Sequence, residues 1–151
     1  MRLEEINENN WIEIANLKVK EEQKNFVAPA IGILARAYAM RIDNAEAFAI
    51  TVEGEIVGVL MVRDMNEEPR CYELQQFLID SNHQGKGYGQ QSLKILLEML
   101  EKERKYNSVE VCVKKSDQSA IHVYQKVGFI DTGYVSEEMP DSLNLIYNFS
   151  N

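Results

Sequence analysis

The chain has little of several things, and each scarcity removes a class of protein. Only two cysteines occur among 151 residues, Cys71 and Cys112. Two isolated thiols neither build a disulfide framework nor give the paired spacing of a metal site, so no metal is expected. Both sit in apolar, strand-like runs, CYELQQFLI and VEVCVK, which predicts reduced, half-buried thiols in a cytoplasmic protein. No apolar run approaches the ~20 residues that span a bilayer. The opening MRLEEINENN also lacks the apolar core of a signal peptide, so no membrane partner is expected. The three prolines fall between no two blocks of different composition, and no linker or repeat is visible. One domain over residues 1–151 is therefore expected, long enough to bury roughly two thirds of the surface its unfolded chain exposes. Basic residues are outnumbered, 16 against 24 acidic, for a net charge of −8. That balance lacks the clustered cations that nucleic acid requires. It suits a cationic small molecule, or serves solubility alone.

What is present reads as alternating elements. Arg2–Ile6 is a short strand. Asn9 or Asn10 is placed to cap a helix carrying Trp11, Ile14, Ala15 and Val19 at helical spacing. The pattern breaks at Pro29, and a second helix is predicted over about Ala30–Arg41, with Ile33, Leu34, Ala37, Tyr38 and Arg41 on one face. AFAITVEGEIVGVLMV is a hairpin turning at Glu53-Gly54. CYELQQFLI is the next strand. Leu93, Leu96, Leu97 and Leu100 then mark a helix, with Glu98/Lys102 and Glu101/Lys105 paired on its wet side. Val109–Val113 alternates as a strand. Ser116 or Asp117 caps a short helix that turns Ala120, Ile121, Tyr124 and Val127 inward and ends at Gly128. Phe129–Val135 and Leu143–Phe149 are the last strands. The order β-α-α-β-β-β-α-β-α-β-β is a mixed α/β layer fold, with antiparallel hairpins in front and one βαβ crossover.

One segment asks for a ligand. Gly85, Gly87 and Gly89 alternate between a strand and a helix. Such a loop turns main-chain N–H groups outward at the positive end of a helix, where a phosphate fits. Lys86 adds a charge. A dinucleotide fingerprint would need Gly at position 90, which is Gln, and a P-loop would need Ser or Thr after Lys86, where Gly87 stands. Read from these residues alone, the loop is a phosphate seat of another kind or a tight connection without a ligand.

Gln84-Gly85-Lys86-Gly87-Tyr88-Gly89 resembles the Q/R-x-x-G-x-G/A signature of the GNAT superfamily of acyl-CoA-dependent N-acetyltransferases. VEGEIVGVLMV is similar to that family's second and third strands, and SDQSAIHVYQKVGF to its later N-x-x-A-x-x-x-Y-x-x-x-G-F segment. Within the family, LKVKEEQKNFVAPA and FLIDSNHQGKGYG look like bacterial spermine/spermidine N-acetyltransferases. The resemblance implies a mixed, largely antiparallel sheet of about seven strands with helices on both faces. It implies acetyl-CoA as co-substrate. The strand ending Phe77-Leu78-Ile79 would splay from Val109–Val113 and bind the pantetheine arm. The amides of Gln84, Gly85, Lys86, Gly87, Tyr88 and Gly89 would hold the pyrophosphate. Asp117 stands where the family often has Asn. Its charge is unhelpful there, although Lys114 and Lys115 are near enough in sequence to offset it.

Acetyl transfer to an amine needs a proton acceptor, donors for the thioester oxygen and a proton for the departing thiolate. The resemblance implies that the peptide groups near Leu78 and Ile79 supply the donors and that Tyr124 supplies the proton. From its spacing alone Tyr124 is a core residue on a helix face. Polyamine enzymes of the type often carry a carboxylate where this chain has Gln75. Glu73, two residues earlier, acts through water or is a solvated edge charge. His83 and His122 read as structural, and Cys112 reads as too buried to carry an acyl group. Glu21, Glu22, Phe26, Tyr38, Gln75 and the segment Ser136–Asp141 are candidates for the acceptor side, where cation attraction and aromatic stacking suit a polyamine. The same residues also read as ordinary exposed charges. Three readings follow: a polyamine acetyltransferase; an acetyltransferase for another amine, such as a protein N-terminus, an aminoglycoside or an amino acid; and a CoA-binding sensor without catalysis, which Gln75 and Asp117 keep open. A homodimer is left open as well.

Overall fold

Alternation decides the centre of the sheet. In the computed structural model, which describes residues 1–150, β2 (Glu46–Val52) and β3 (Glu55–Asp64) form a hairpin. Its turn residues Glu53 and Gly54 both have positive φ, 51° and 82°, the mirror-image turn whose twist matches that of the flanking strands. Phe48 and Ile50 face one layer of core while Ala47 and Ala49 face the other. β1 (Arg2–Glu5) pairs antiparallel on the outer side of β2. β4 (Tyr72–Ile79) pairs antiparallel with β3. Beyond β4 lie β5 (Ser108–Lys114), β7 (Ser142–Asn148) and β6 (Ile130–Asp131), giving the order β1-β2-β3-β4-β5-β7-β6 with β4–β5 as the parallel pair.

Helices cover both faces. α3 (Tyr88–Glu103) and α4 (Gln118–Val127) bury Leu93, Leu96, Leu97, Leu100, Ile121 and Tyr124 against Phe48, Ile50, Leu60 and Leu74. α1 (Trp11–Ala15) and α2 (Ala30–Ala39) bury Ile14 and Ile33 against Ala49, Val59 and Met61. This is the mixed seven-stranded α/β fold that the sequence predicts.

Several details differ from the sequence reading. α1 ends at Ala15, so Val19 is not part of it. Asn10 stands at its N-cap position, yet its side chain accepts from the Asn7 N–H (2.8 Å) and donates to the Glu5 carbonyl (2.9 Å), shaping the loop instead of capping. α2 stops at Ala39, and Tyr38 is 69 % exposed. Arg41 begins a 3₁₀ turn and lies 4.1 Å over the Tyr38 ring. Lys105 turns away from Glu101 because Arg104 adopts a left-handed conformation (φ 58°), and it pairs with the buried Asp64. β6 keeps only two residues of the expected Phe129–Val135, because Asp131 accepts the Gly133 N–H at φ 76° and starts a turn. Cys71 is buried, but Cys112 is exposed.

The decisive irregularity is in β4. Met61 pairs with Gln76 while Val62 pairs with Leu74, which leaves Gln75 as an extra, bulged residue. A bulge bends its strand and shifts the alternation by one. Tyr72 and Leu74 accordingly pack on the α3–α4 core, whereas Leu78 packs on the α1–α2 core. Pairing with β5 stops where the bend begins, since only Tyr72↔Val109 and Glu73↔Glu110 are in register. On its other side the bent strand presses close to β3, where a Cβ on Gly58 would overlap the Leu78 carbonyl oxygen and stand 3.0 Å from Ile79 Cδ1. We expect Gly58→Ala to destabilise the fold by about 2–3 kcal/mol and lower Tm by about 5–10 °C. Thermal unfolding by circular dichroism measures this, and an unchanged Tm contradicts the close approach.

Candidate active site

The gap between β4 and β5 is the floor of an open cleft of ≈1360 Å³. One wall is made by β5, the start of α4 and the segment Glu138–Ser142. The other is made by β4, the loop after it and residues 19–28. The free edge of β4 gives this cleft its chemistry. Asp80 donates its N–H to Val57 (2.8 Å), and Leu78 turns its carbonyl toward Gly58. Antiparallel alternation then turns the main-chain groups of Phe77 and Ile79 into the gap. A linear ligand with amide groups can pair with them as a missing strand would. Of the two residues expected to supply peptide donors, Ile79 faces the cleft and Leu78 faces β3.

The glycine segment lies at the end of that edge. Gly85 and Gly87 both have φ of 80°, and a Cβ at Gly85 would meet nothing within 4 Å. They are glycines for backbone reasons, since an L residue at this φ is strained. Gly87 is the N-cap of α3, and no side chain caps its first turn. The orphan N–H groups of Tyr88 and Gly89 therefore point outward at the positive end of a 16-residue helix. Lys86 stands 6.0 Å from the Tyr88 ring. The geometry of the site fits a diphosphate: a chain of main-chain donors, no carboxylate in the first turn of the helix, and a cation beside it.

Tyr124 occupies the opposite wall. It is 5 % exposed and packs 5.5 Å from Phe129 and 6.3 Å from Phe77, centroid to centroid. Burial, and next the Asp117 carboxylate, raise its phenol above the ordinary value, so it is protonated at neutral pH. Among the described residues its hydroxyl makes no hydrogen bond, and the residue lines the cleft. Tyr72 is the contrast. Its hydroxyl donates to the Leu100 carbonyl (3.4 Å) and accepts from the Lys105 N–H (3.1 Å), the work of a structural staple. Asp117 caps α4 by accepting from the Ala120 N–H (3.2 Å), and burial raises its carboxyl.

A model of the acetyltransferase (GNAT) family matches residues 5–129. The chain belongs to the GNAT acetyltransferase family. It is 25% identical over 135 residues to the spermine/spermidine N(1)-acetyltransferase of Bacillus subtilis, covering 85% of this chain and 87% of that one. It is 28% identical over 97 residues to the spermidine N(1)-acetyltransferase of Escherichia coli, covering 64% and 52%. Its fold is similar to that of the Vibrio cholerae spermidine N-acetyltransferase solved with CoA and spermine, with a TM-score of 0.76, 19% identity, and coverage of 97% and 94%. It is equally similar in fold to an aminoglycoside acetyltransferase solved with coenzyme A, with a TM-score of 0.79, 16% identity, and coverage of 97% and 93%.

In this GNAT acetyltransferase the other candidates separate by position. Gln84, Gly85, Gly87, Tyr88, Gly89, Phe77, Leu78, Ile79, Asp117 and Tyr124 all line the cleft. Of the residues expected on the acceptor side, Glu22, Phe26 and Gln75 line it as well, as do Glu73 and Glu138, Met139, Pro140 and Asp141. Glu21 does not join them, because it sits on the outer side of a 3₁₀ turn (Glu21–Gln23), paired with Lys24 at 2.6 Å. Tyr38 does not either, because α2 turns it to solvent beneath Arg41. Glu73 is not a solvated edge charge. Its side chain is 17% exposed, and Arg63 engages both oxygens at 3.2 and 3.5 Å. His83 pairs with Glu55 (3.2 Å) at the hairpin, and His122 lies on the outer face of α4. Cys112 opens on the cleft, but desolvation of its thiol, and next the Glu73 carboxylate, raise it and make it a weak nucleophile at neutral pH.

Four residues had no signal in the sequence: three that line the cleft, Arg36, Arg63 and Gln76, and one beside it, Glu110. Arg36 donates to Gln75 (3.5 Å), and Arg63 joins Glu73 to Asp43 (3.6 Å). Gln76 accepts from the Ala28 N–H (2.9 Å) on the same side as Gln75, which the bulge allows. Glu110 faces Glu73 at the last register point before the gap, and burial, then that neighbour, raise its carboxyl. Only the bulge and the strand register bring these groups together. We expect Gly87→Ala to weaken CoA binding by about tenfold through backbone strain. Gly87→Glu is expected to abolish it by adding bulk and a negative charge at the seat. Isothermal titration with CoA measures both, and equal affinities in wild type and Gly87→Glu contradict the assignment.

Proposed function

We propose that the protein transfers the acetyl group of acetyl-CoA to a primary amine of a polyamine such as spermidine or spermine, by direct attack while both substrates are bound. One observation carries the reading: the unpaired edge of β4 runs into the Gly85–Gly87 seat with the free hydroxyl of Tyr124 across the gap. The coenzyme supplies an activated acetyl group as a thioester. The chain supplies everything else. Phe77 and Ile79 align the amide-bearing arm, and Gln84 to Gly89 hold its diphosphate. The Ile79 N–H is available to the thioester oxygen as negative charge develops on it. The acceptor arrives as an ammonium with a pKa of about 10 and must lose a proton before it attacks. Glu73, held in place by Arg63, takes that proton through water. Tyr124 gives its phenolic proton to the departing thiolate, whose own pKa lies well below that of the raised phenol, so the transfer is made during C–S cleavage and reversed from solvent afterwards.

The polyamine as acceptor is supported by the acids at the cleft rim, Glu22, Glu138 and Asp141, by the net charge of −8, and by the relatives from Bacillus and Escherichia. A second reading is favoured by Arg36. Among the described residues its guanidinium has no carboxylate partner, and it reaches the floor at Gln75. An acceptor carrying an anionic group beside its amine, such as an amino acid, would satisfy it.

A thiol-release assay with acetyl-CoA and a panel of amines decides between them. Spermidine and spermine should release many equivalents of CoA per chain, which also separates turnover from labelling of the exposed Cys112. Release with amino acids or aminoglycosides but not with polyamines would overturn the polyamine reading. No release with any amine, together with a CoA-dependent rise in Tm, would support the sensor instead. In a separate measurement, Tyr124→Phe should lower kcat by about a hundredfold or more while leaving acetyl-CoA affinity unchanged. Equal kcat in the two proteins removes the proton-donor role.

A further inference from the structure

The first residue of the diphosphate seat is bonded to the acceptor side of the cleft. Gln84 and Gln23 form a reciprocal amide pair: Gln23 Nε2 donates to Gln84 Oε1 (3.1 Å), and Gln84 Nε2 donates to Gln23 Oε1 (2.9 Å). Each amide is held from behind. Gln84 Nε2 also donates to the Ile79 carbonyl at the end of β4 (2.9 Å), and Gln23 Oε1 also accepts from the Lys20 N–H (3.1 Å). Both side chains are half-buried. Gln23 closes the 3₁₀ turn that carries Glu22, and its carbonyl accepts from the Phe26 N–H (2.9 Å); Glu22 and Phe26 both line the cleft. The same segment is stitched at its start by the Lys18 N–H to Asp80 Oδ1 (2.9 Å) and by the Ser81 N–H to the Lys18 carbonyl (2.7 Å). Those two bonds fix where the segment begins. The amide pair is, among the described residues, the side-chain link between its middle and the seat.

We propose that Gln23 is a positioning residue that couples the two substrates. It makes the arrangement of residues 18–28, and so of the acceptor wall, depend on coenzyme at residues 84–89. The physical route is short. A diphosphate on the main-chain donors of Gln84 to Gly89 fixes a backbone that otherwise has freedom at Gly85 and Gly87. Fixing the Gln84 backbone fixes its side chain, and a primary amide restrained at both ends can satisfy its donors and acceptor only with Gln23 in one place. Coupling is reciprocal, so an occupied acceptor wall stabilises the seat by the same factor. The inference rests on the coenzyme seat proposed above, and it does not depend on which amine is acetylated.

Hydrogen exchange read by mass spectrometry, with and without saturating CoA, tests it on the intact protein. In wild type, CoA should slow exchange at residues 84–89 and also at residues 18–28, the latter by about tenfold, within the usual range of coupling between sites. In Gln23→Ala the protection at 84–89 should persist while that at 18–28 is lost. Gln23→Glu keeps the oxygen that accepts from Gln84 and Lys20, and should protect 18–28 better than Gln23→Ala does. A merely structural role would speed exchange in both states and leave the CoA-induced ratio as it was. Equal CoA-induced protection of 18–28 in wild type and Gln23→Ala overturns the coupling. Absence of protection at 84–89 in wild type overturns the seat, and the coupling with it.

Discussion

The structure depends on a hydrogen-bond deficit in the middle of its sheet. β4 and β5 are parallel neighbours that pair at two register points and then part. Peptide groups left unpaired away from water are costly, about 1–3 kcal/mol each, so a central strand does not abandon its partner without a reason. The bulge at Gln75 bends β4 out of line, and Gly58 lets the bent strand settle against β3. The Ile79 carbonyl accepts from Gln84 Nε2, and the groups left over at Phe77 and the Ile79 N–H are open to water or to a ligand with amides of its own. The cleft, its preference for an extended partner and the position of the glycine loop at its end all follow from that parting.

The charge arrangement follows from the same geometry. The point where the strands separate brings Glu73 and Glu110 side by side, and Arg63 compensates by gripping Glu73 and reaching Asp43. Burial, and then Glu73 beside it, raise the Glu110 carboxyl, while Arg63 holds Glu73 in place. Away from the apex, Tyr124 sits among Phe77 and Phe129, where nothing favours its phenolate. Glu73 and the buried phenol thus stand on different walls of the cleft.

Much of this was legible in the sequence, and the limits have physical causes. Period-two and period-3.6 patterns located every long element, because those faces are buried and the pattern is the burial. The glycine loop was legible because Gly85 and Gly87 answer to backbone conformation, which no other residue satisfies cheaply. The bulge was not legible. The alternation of ELQQFLI breaks at Gln75-Gln76, but nothing in it says that Gln75 is the surplus residue and that the strand continues through the change of phase. The placement of Gln76, Arg36 and Arg63 was lost with it. Tyr38 misled for a different reason: it was read on the apolar face of α2, but Ala37 and Met40 take the core side of that last stretch and Tyr38 faces solvent beneath Arg41. Cys112 misled because β5 alternates correctly while one of its faces has no helix over it.

A gap between two strands is open from both faces of a sheet. Residues from the α3–α4 layer, such as Val123 and Tyr124, and residues from the α1–α2 side, such as Phe26 and Arg36, border the same space. The cleft is therefore bordered by both layers of the fold at once. The two helical pairs share no core cluster, yet a substitution in either layer can reshape this space.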